Sequence, residues 1–272
     1  MPRTLRNWLL LSPLVLLNLF PFLVMLLTAL KPREEVFAFP PRWLPSRLAF
    51  ENFAEMWHAT DFGSAMLNSV KVSVMTMALT LLIAVPAAYA MTRFRFRGRD
   101  AYEMFLLVVQ MVSPIVLIIG LFRLAVFFGL ADTHMALVIL FAGFSLTFAI
   151  WMLRSYFEAI PVDIEEAAFL EGASRFYAVT RLFLPLAIPS IAVVGLFTFI
   201  NAWNDFALSL TILRSSDKNT VTLQVVNLVA GRYTKEWQLI MAATLCATLP
   251  VTLLFAWFQK YLVRGLSGGA VK

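Results

Sequence analysis

The chain has very little of what builds a disulfide scaffold, a metal centre or a nucleotide site. Of its 272 residues, one is cysteine, Cys246, and two are histidine, His58 and His134. One cysteine cannot form an intrachain disulfide, and two distant histidines without neighbouring cysteines do not make a metal site. The phosphate loop G-x-x-x-x-G-K-[ST] is missing, as are the patterns G-x-S-x-G and H-E-x-x-H. We expect no catalytic centre, no metal and no cofactor bound by this chain.

Charge is also scarce, whereas apolar residues are abundant. Charged residues make up 14% of the chain and hydrophobic residues 61%, with a mean hydropathy of +0.81. Soluble domains have about 25% charged and about 45–50% apolar residues, so a soluble or disordered protein is excluded. The net charge of +6 then reflects lysine and arginine that hold loops on the cytoplasmic side of a membrane, and we expect lipid rather than nucleic acid as a partner.

Long apolar runs predict membrane-spanning helices. A span needs about 20 mostly apolar residues. These runs lack the alternation of a barrel strand, so only helices can satisfy their backbone groups in lipid. The predicted fold is an all-α integral membrane protein with 1–272 as a single transmembrane domain. Its six predicted spans are 9–30, 70–91, 104–128, 135–153, 187–207 and 239–258.

The first apolar run follows Arg3 and Arg6, an arrangement that also begins signal peptides. A cleavable apolar region is about 7–15 residues long, and no small-x-small cleavage site follows Leu30. We therefore expect a retained anchor.

Prolines inside the predicted spans raise the question of breaks. Neighbouring helices can satisfy the backbone groups that a proline frees, so we expect kinks rather than breaks. The prolines concerned are Pro13, Pro21, Pro86 and Pro114.

The stretch 93–99 orients the chain because four of its seven residues are arginine and it adjoins the second span. The positive-inside rule places such a cluster in the cytoplasm. With six spans, both termini and the loop 154–186 between the fourth and fifth spans are then cytoplasmic. On the outer side, the apolar pattern over 48–58 predicts an amphipathic helix lying along the interface.

The inner loop 154–186 is the most informative segment. Connections in helix bundles usually have about 2–8 residues, so a loop this long has structure of its own. Pro161 ends what precedes it, and we expect a helix over 164–171. In that helix Asp163 is the predicted cap and Glu166 the partner that completes a capping box.

The surface of this predicted helix suggests a partner. Ala167 and Ala168 would form a smooth patch, Gly172 allows a C-terminal cap, and a second short helix is expected over 174–183. Such a helix suits insertion into the cleft of a soluble cytoplasmic protein; the alternative is a connector that lies on the surface and stabilises only itself. The residues assigned to docking are Asp163, Glu165, Glu166, Ala167, Ala168, Glu171, Gly172, Ala173 and Ser174.

The same segment resembles a known family. Its spacing resembles that of the EAA loop of ABC-importer permeases. The segment has Glu166–Ala167–Ala168, then three residues, Gly172, nine residues, and L-F-L-P at 182–185. The family pattern ends in I-x-L-P, so only Leu182 departs from it. Segments 149–154, 202–206 and 261–272 are similar to carbohydrate-type permeases, in particular to the second permease of maltose-type importers. The similarity covers essentially the whole chain.

This resemblance implies a function and a set of partners. The chain would be one of two homologous permease subunits in the bacterial cytoplasmic (inner) membrane and would import a sugar or sugar derivative. Two cytoplasmic ATPase subunits, which bind ATP and magnesium, would grip the EAA loop as a coupling helix and drive alternating access. An external substrate-binding protein would deliver the substrate.

Polar residues within spans are candidates for the translocation pathway, because intramembrane polar groups are costly and often mark a pathway. Interhelical hydrogen bonding, or a position at the membrane interface, is the alternative explanation. The candidates are Gln110, Asn201, Asn204 and Asp205.

In the outer loop 211–237, the resemblance suggests that Gly231, Arg232 and Tyr233 contact the binding protein. A solvated connector is the alternative for this loop.

Two other classes of protein are compatible with six spans. A secondary transporter, or a six-helix half-transporter without an ATPase, would favour a charge at the membrane midplane for ion coupling. No acidic residue is clearly placed there. An intramembrane enzyme would need a catalytic cluster inside the spans, and none is visible. The long capped inner loop favours the ATP-driven importer.

Overall fold

The computed structural model describes residues 3–230 and 236–268, and every regular element within them is helical. This confirms the predicted all-α fold. A π-helical segment, Ala178–Phe183, joins two of the helices, and a 3-10 turn covers Ser216–Lys218. In chain order the α-helices are α1 (Arg3–Ala29), α2 (Arg33–Val36), α3 (Glu51–Ala59), α4 (Phe62–Arg93), α5 (Arg99–Gln110), α6 (Pro114–Phe127), α7 (His134–Glu158), α8 (Asp163–Leu170), α9 (Arg175–Tyr177), α10 (Leu184–Asn204), α11 (Ala207–Ile212), α12 (Val221–Ala230) and α13 (Trp237–Gly268).

Five helices in the described ranges are long and apolar enough to cross a membrane. They correspond to the first, second, fourth, fifth and sixth predicted spans. The fifth is longer than predicted because α9, the π-helical segment and α10 run on as one stretch, Arg175–Asn204. The prolines within α1 and α4 do not interrupt those helices.

The third predicted span is not one helix, and here the prediction of a kink was wrong. Helices α5 and α6 meet at 98° across a short break, so the number of spans is five, or six if this pair counts as one. Pro114 is the first residue of α6, and Ser113 before it is extended, with φ −68° and ψ 129°. Proline disfavours helical backbone in the residue before it and has no N–H to continue the ladder.

The described residues form two compact units. The first combines the chain up to Met66 with Thr220–Pro250, and the second combines Leu67–Asn219 with the residues from Val251 on. In the first unit, Asn52 of α3 donates hydrogen bonds to the carbonyls of Ala29 (2.7 Å) and Lys31 (2.9 Å). These bonds satisfy carbonyls left open at the end of α1.

The predicted outer helix over 48–58 begins later than expected, at Glu51. It buries Asn52 and Met56. Phe50, just before α3, and Trp57 are exposed, whereas Phe53 is partly buried. Asn52 and the fully buried Met56 therefore hold α3 in place.

The core of the second unit joins α4, α7 and α10. Ala84, Ala88, Ala149 and Ile150 are almost fully buried there. Small residues on α4 and α7 let helices approach closely, as is common in membrane bundles. Gly195 of α10 shows the closeness: a Cβ at this position would lie 3.2 Å from Leu81 Cδ1.

The second unit has two ends. At the EAA end, α4 and α7 finish and α8 begins; at the far end, Asp132 binds the segment 212–219. The Asp132 carboxylate accepts hydrogen bonds from Arg214 N (2.8 Å), Ser215 N (3.1 Å) and Ser215 Oγ (2.6 Å), and from Lys218 Nζ (2.8 Å). The Lys218 ammonium, followed by the Ser215 hydroxyl, holds the pKa of Asp132 far below its ordinary value.

Candidate functional site

Helix α8 is the predicted coupling helix, and it starts differently from the prediction. It begins at Asp163, with Val162 as N-cap and no side-chain capping bond. The capping box between Asp163 and Glu166 is therefore absent. Instead, the acidic residues of the first turn lie close to the positive end of the helix dipole.

The end of α8 agrees with the prediction. Gly172 adopts φ +83°, Gly172 N donates to Phe169 O (3.0 Å) and Ala173 N donates to Ala168 O (2.9 Å). This pair of bonds is a Schellman motif, in which a left-handed glycine satisfies the last carbonyls of a helix. Ser174 then caps α9 by accepting a bond from Tyr177 N at 3.3 Å. The turn between α8 and α9 is thus fixed by its own hydrogen bonds.

A buried ion pair holds α8 against α4. Glu165 Oε1 accepts a hydrogen bond from Arg93 Nε at 2.6 Å, and Glu165 Oε2 accepts one from Tyr89 Oη at 2.6 Å. The side chains of Arg93 and Glu165 are 9% and 5% exposed. Arg93 Nη2 also donates to Ile160 O at 2.8 Å. A charge this deeply buried is tolerated only when it is paired and hydrogen-bonded, as here.

Aromatic rings surround this ion pair. The Phe183 ring lies 5.2 Å below the Arg93 guanidinium, and it meets the rings of Tyr89 (5.0 Å) and Phe157 (4.9 Å) edge to face. We call Tyr89, Arg93, Phe157, Glu165 and Phe183 the Arg93 cluster. It joins α4, α7, α8 and the π-helical segment. Sequence reasoning missed it, because Arg93 was interpreted only as part of a cytoplasmic arginine run.

The outward surface of α8 and α9 exposes large apolar side chains among charged ones. Leu170 is 89% exposed and Phe176 79%, and Val162 and Tyr177 are about half exposed. Large apolar side chains exposed in this way make the segment a candidate interaction site. The predicted alanine patch was wrong in part: Ala167 is exposed, but Ala168 is buried beside Glu165.

The remaining residues assigned to docking are accessible. Asp163, Glu166, Glu171, Gly172 and Ser174 are exposed, and Ala173 is partly exposed. Glu165 is the exception, since its carboxylate faces inward.

A second charge network stands at the same end but joins α5 to α7. Arg154 Nη1 lies 2.5 Å from Glu103 Oε1 and Arg154 Nε 2.8 Å from Glu158 Oε1, while Arg99 Nε lies 3.0 Å from Glu103 Oε1. These side chains are 22–48% exposed. Exposed pairs stabilise little, so this network serves as a natural control for the buried pair.

A cavity of about 440 Å³ lies among α5, α6, α7, α10 and α11 in the second unit. Three of the four predicted pathway residues line it: Gln110, Asn201 and Asp205. Asn204 is exposed and is not among the lining residues. The cavity is within the range of about 300–1,000 Å³ typical of ligand sites.

Aromatic rings supply much of the remaining wall. The Phe148 and Phe197 rings meet edge to face with centroids 5.9 Å apart, and Phe141 and Phe144 lie on the same α7 wall. Sequence reasoning could not select these four from 25 phenylalanines. Helical spacing along α7 brings 141, 144, 145 and 148 onto one face, but only the fold shows that this face lines a cavity.

Asp205 has a structural task as well. Its Oδ1 accepts hydrogen bonds from Leu208 N (3.1 Å) and Ser209 N (3.2 Å). It thereby satisfies backbone donors at the start of α11, immediately after α10 ends.

The predicted contacts with a binding protein, Gly231, Arg232 and Tyr233, lie outside the described residues.

Comparison with known proteins identifies the family. The family model for "Binding-protein-dependent transport system inner membrane component" matches residues 80–268, which include the EAA loop and the cavity. The chain belongs to this family. The predicted resemblance to ABC-importer permeases is therefore confirmed, and the chain is a multi-pass protein of the bacterial inner membrane.

Individual relatives agree over nearly the full chain. The inner membrane ABC transporter permease protein YcjP of Escherichia coli is 33% identical over 260 residues, which is 95% of this chain and 92% of the relative. The trehalose/maltose transport system permease protein MalG of Thermococcus litoralis is 31% identical over 266 residues, 95% of this chain and 93% of the relative.

A solved structure shares the fold. The crystal structure of a bacterial ABC transporter involved in the import of the acidic polysaccharide alginate contains a chain with a TM-score of 0.82. The two are 22% identical, and the match covers 95% of each chain. None of these similarities favours a secondary transporter or a half-transporter.

Proposed function

We propose that this chain is a permease subunit of an ATP-driven, binding-protein-dependent importer for a sugar or sugar derivative. The observation that carries the proposal is α8: a short helix closed by a Schellman motif at its C-terminus and tied to α4 by a buried ion pair, with large apolar side chains exposed among acidic ones. The names of the permease and importer relatives, which include trehalose/maltose and alginate systems, support the substrate class.

The assembly follows from this role. A second homologous permease completes the pathway, two cytoplasmic ATPase subunits bind ATP and magnesium, and an external binding protein delivers the substrate. With α5 and α6 counted as one span, six spans put both termini on the same side, and the arginine run 93–99 assigns that side to the cytoplasm. The exposed surface of α8 and α9, which includes Glu166 and Gly172, docks into an ATPase cleft. Closure of the ATPases then drives alternating access.

The cavity suits a sugar chemically. Sugars combine apolar ring faces with many hydroxyl groups, and the cavity combines the rings of Phe148 and Phe197 with the amides of Gln110 and Asn201. Amides both donate and accept hydrogen bonds. The cavity is proposed as part of the pathway that the sugar takes.

The docking role is tested in proteoliposomes that contain the complete importer. We expect Glu166→Lys, and independently Gly172→Asp, to abolish ATP-driven uptake while the permease still inserts and folds. Glu55→Lys, a matched charge reversal at an exposed glutamate of α3, should leave uptake unchanged. Full uptake by the Glu166→Lys importer would refute docking through α8.

The substrate is tested separately. Candidate sugars are screened by thermal shift on the cognate binding protein, and the best is used for uptake. Phe148→Ala and Asn201→Ala should then reduce uptake at low sugar concentration, whereas Asn204→Ala, outside the cavity, should not. Equal loss in all three variants would argue against a specific cavity.

A further inference from the structure

The Arg93 cluster is unusual in where its charges lie. The guanidinium and the carboxylate are both buried at the EAA end, although Asp163 and Glu166, in the same turn as Glu165, are exposed. Three directional bonds converge on the pair: Arg93 and Tyr89 each donate to one oxygen of Glu165, and Arg93 also donates to Ile160 O.

Stability alone does not explain such an arrangement. Replacing a buried ion pair by well-packed apolar side chains is often neutral or stabilising, because burying two charges costs desolvation energy. What directional bonds add is a fixed geometry. Here they fix α8 relative to the last turn of α4, where both Tyr89 and Arg93 lie.

The cluster also distinguishes α4 from α5. Helix α8 is tied to α4 by a buried ion pair, whereas the ion pairs between α5 and α7, formed by Arg99, Glu103, Arg154 and Glu158, are partly exposed. Along the chain, α8 continues through α9 and the π-helical segment into α10, and Phe183 of that segment packs in the cluster. Any displacement of α8 therefore acts on α4 and α10 together.

We propose that Arg93 and Glu165 are positioning residues that transmit movement of α8 to α4, so that α4 and α10 turn as one body when the ATPases close. The proposal rests on the proposed function, since it assigns the spans through which the coupling helix acts. Tyr89 supports the link through its bond to Glu165, and Phe183 joins the π-helical segment to it.

The test uses the complete importer in proteoliposomes and measures sugar taken up per ATP hydrolysed. The key variant is the apolar double substitution Arg93→Met/Glu165→Leu, which keeps packing but removes the directional bonds. We expect this variant to assemble with the ATPases and keep its thermal midpoint, while uptake per ATP falls about tenfold, within the range of typical allosteric couplings. The control, Arg154→Met/Glu103→Leu, removes the exposed network and should leave the ratio unchanged.

Two further measurements test the link between α8 and α4 if the double variant does not assemble. Tyr89→Phe removes one hydroxyl and should lower the ratio by a smaller factor. Spin labels at position 82 on α4 and position 164 on α8, neither of which is assigned to docking, should keep one narrow distance distribution throughout the nucleotide cycle when Cys246 is replaced by serine. In Glu165→Gln that distribution should broaden.

The outcomes separate the two proposals. An unchanged ratio in the apolar double variant, or a label distance that changes with nucleotide in the wild type, would overturn the link while leaving docking intact. Glu166 lies outside the Arg93 cluster. Unchanged uptake in the Glu166→Lys variant would therefore refute the proposed function instead.

Discussion

The two ends of the second unit are built in opposite ways. At the far end, Asp132 and Lys218 close a loop on itself: the carboxylate accepts four hydrogen bonds, and His134 Nε2 lies 2.8 Å from Lys218 O. At the EAA end, one buried ion pair holds a helix whose outer surface, Leu170 above all, is left uncovered. Self-satisfied polar groups produce a rigid support, whereas exposed apolar side chains leave surface available to the proposed partner.

The largest expected difference between the ends comes from removing one charge of each ion pair. Arg93→Ala leaves Glu165 buried without a cation, which costs about 3–5 kcal/mol of unfolding free energy. Lys218→Ala, at a pair that is 36% and 23% exposed, should cost no more than about 1 kcal/mol. Thermal unfolding in detergent measures both, and equal costs would remove the distinction between a buried and an exposed pair.

A smaller effect is expected from Asp132→Asn, and it depends on pH. The folded pKa of Asp132 is lowered, so its charged form stabilises the fold fully above the unfolded pKa of about 3.9. That contribution is lost as the pH falls below this value toward the folded pKa. The variant should be less stable than the wild type at pH 7, by about 1–3 kcal/mol, and the gap should narrow below pH 4.

A gap that stays constant from pH 7 to pH 3 would contradict the lowered pKa. At the EAA end, the corresponding stability test is the double substitution Arg93→Met/Glu165→Leu at neutral pH. It removes both charges of the buried pair together, so we expect the thermal midpoint to stay the same.

Two glycines allow a matched comparison of function with stability. Gly172 at the EAA end and Gly129 near the far end both have positive φ, +83° and +67°, and no heavy atom lies within 4 Å of a Cβ built on either. Alanine at either position therefore costs only backbone strain, about 1–2 kcal/mol. We expect equal losses in thermal stability but a loss of ATP-driven uptake only for Gly172→Ala. Equal uptake in both variants would show that the cap of α8 has no role in coupling.

The smallest effects concern the N-caps. Ser174→Ala and Thr133→Ala each remove a side-chain acceptor, for Tyr177 N and Ala136 N respectively, and each should cost about 1 kcal/mol. Thr133→Ala should change only the thermal midpoint, whereas Ser174→Ala should also reduce the uptake rate. Reduced uptake in both variants would indicate a general effect of stability.

Local chemistry made parts of this structure predictable. Continuous apolar runs determine which segments lie in lipid, because no other structure satisfies their backbone groups there. Gly172 determined the end of α8, since the left-handed residue of a Schellman motif is usually glycine. Short-range spacing also identified the EAA loop. Polarity within apolar spans identified Gln110, Asn201 and Asp205, which line the cavity.

Contacts between distant residues were beyond the reach of that reasoning. Nothing local distinguishes Arg93 from the other arginines of 93–99, yet the fold brings it to Glu165, 72 positions along the chain. The start of α8 was mispredicted for the same reason: Asp163 and Glu166 match a capping box, but they remain exposed while Glu165 takes the buried position. Similarly, Pro114 breaks the third predicted span, whereas Pro86 leaves α4 continuous. Neither residue carries a local sign of how its neighbours pack, so the sequence did not distinguish the two.

The amino-acid order by itself therefore determined the class of protein, most of its apolar spans and the segment proposed to meet a partner, since hydrophobicity and turn chemistry act over a few residues. Only the tertiary structure decided which charges are buried together and which of the phenylalanines line a cavity. Those outcomes depend on which helix faces meet, and that is settled by packing across the whole bundle.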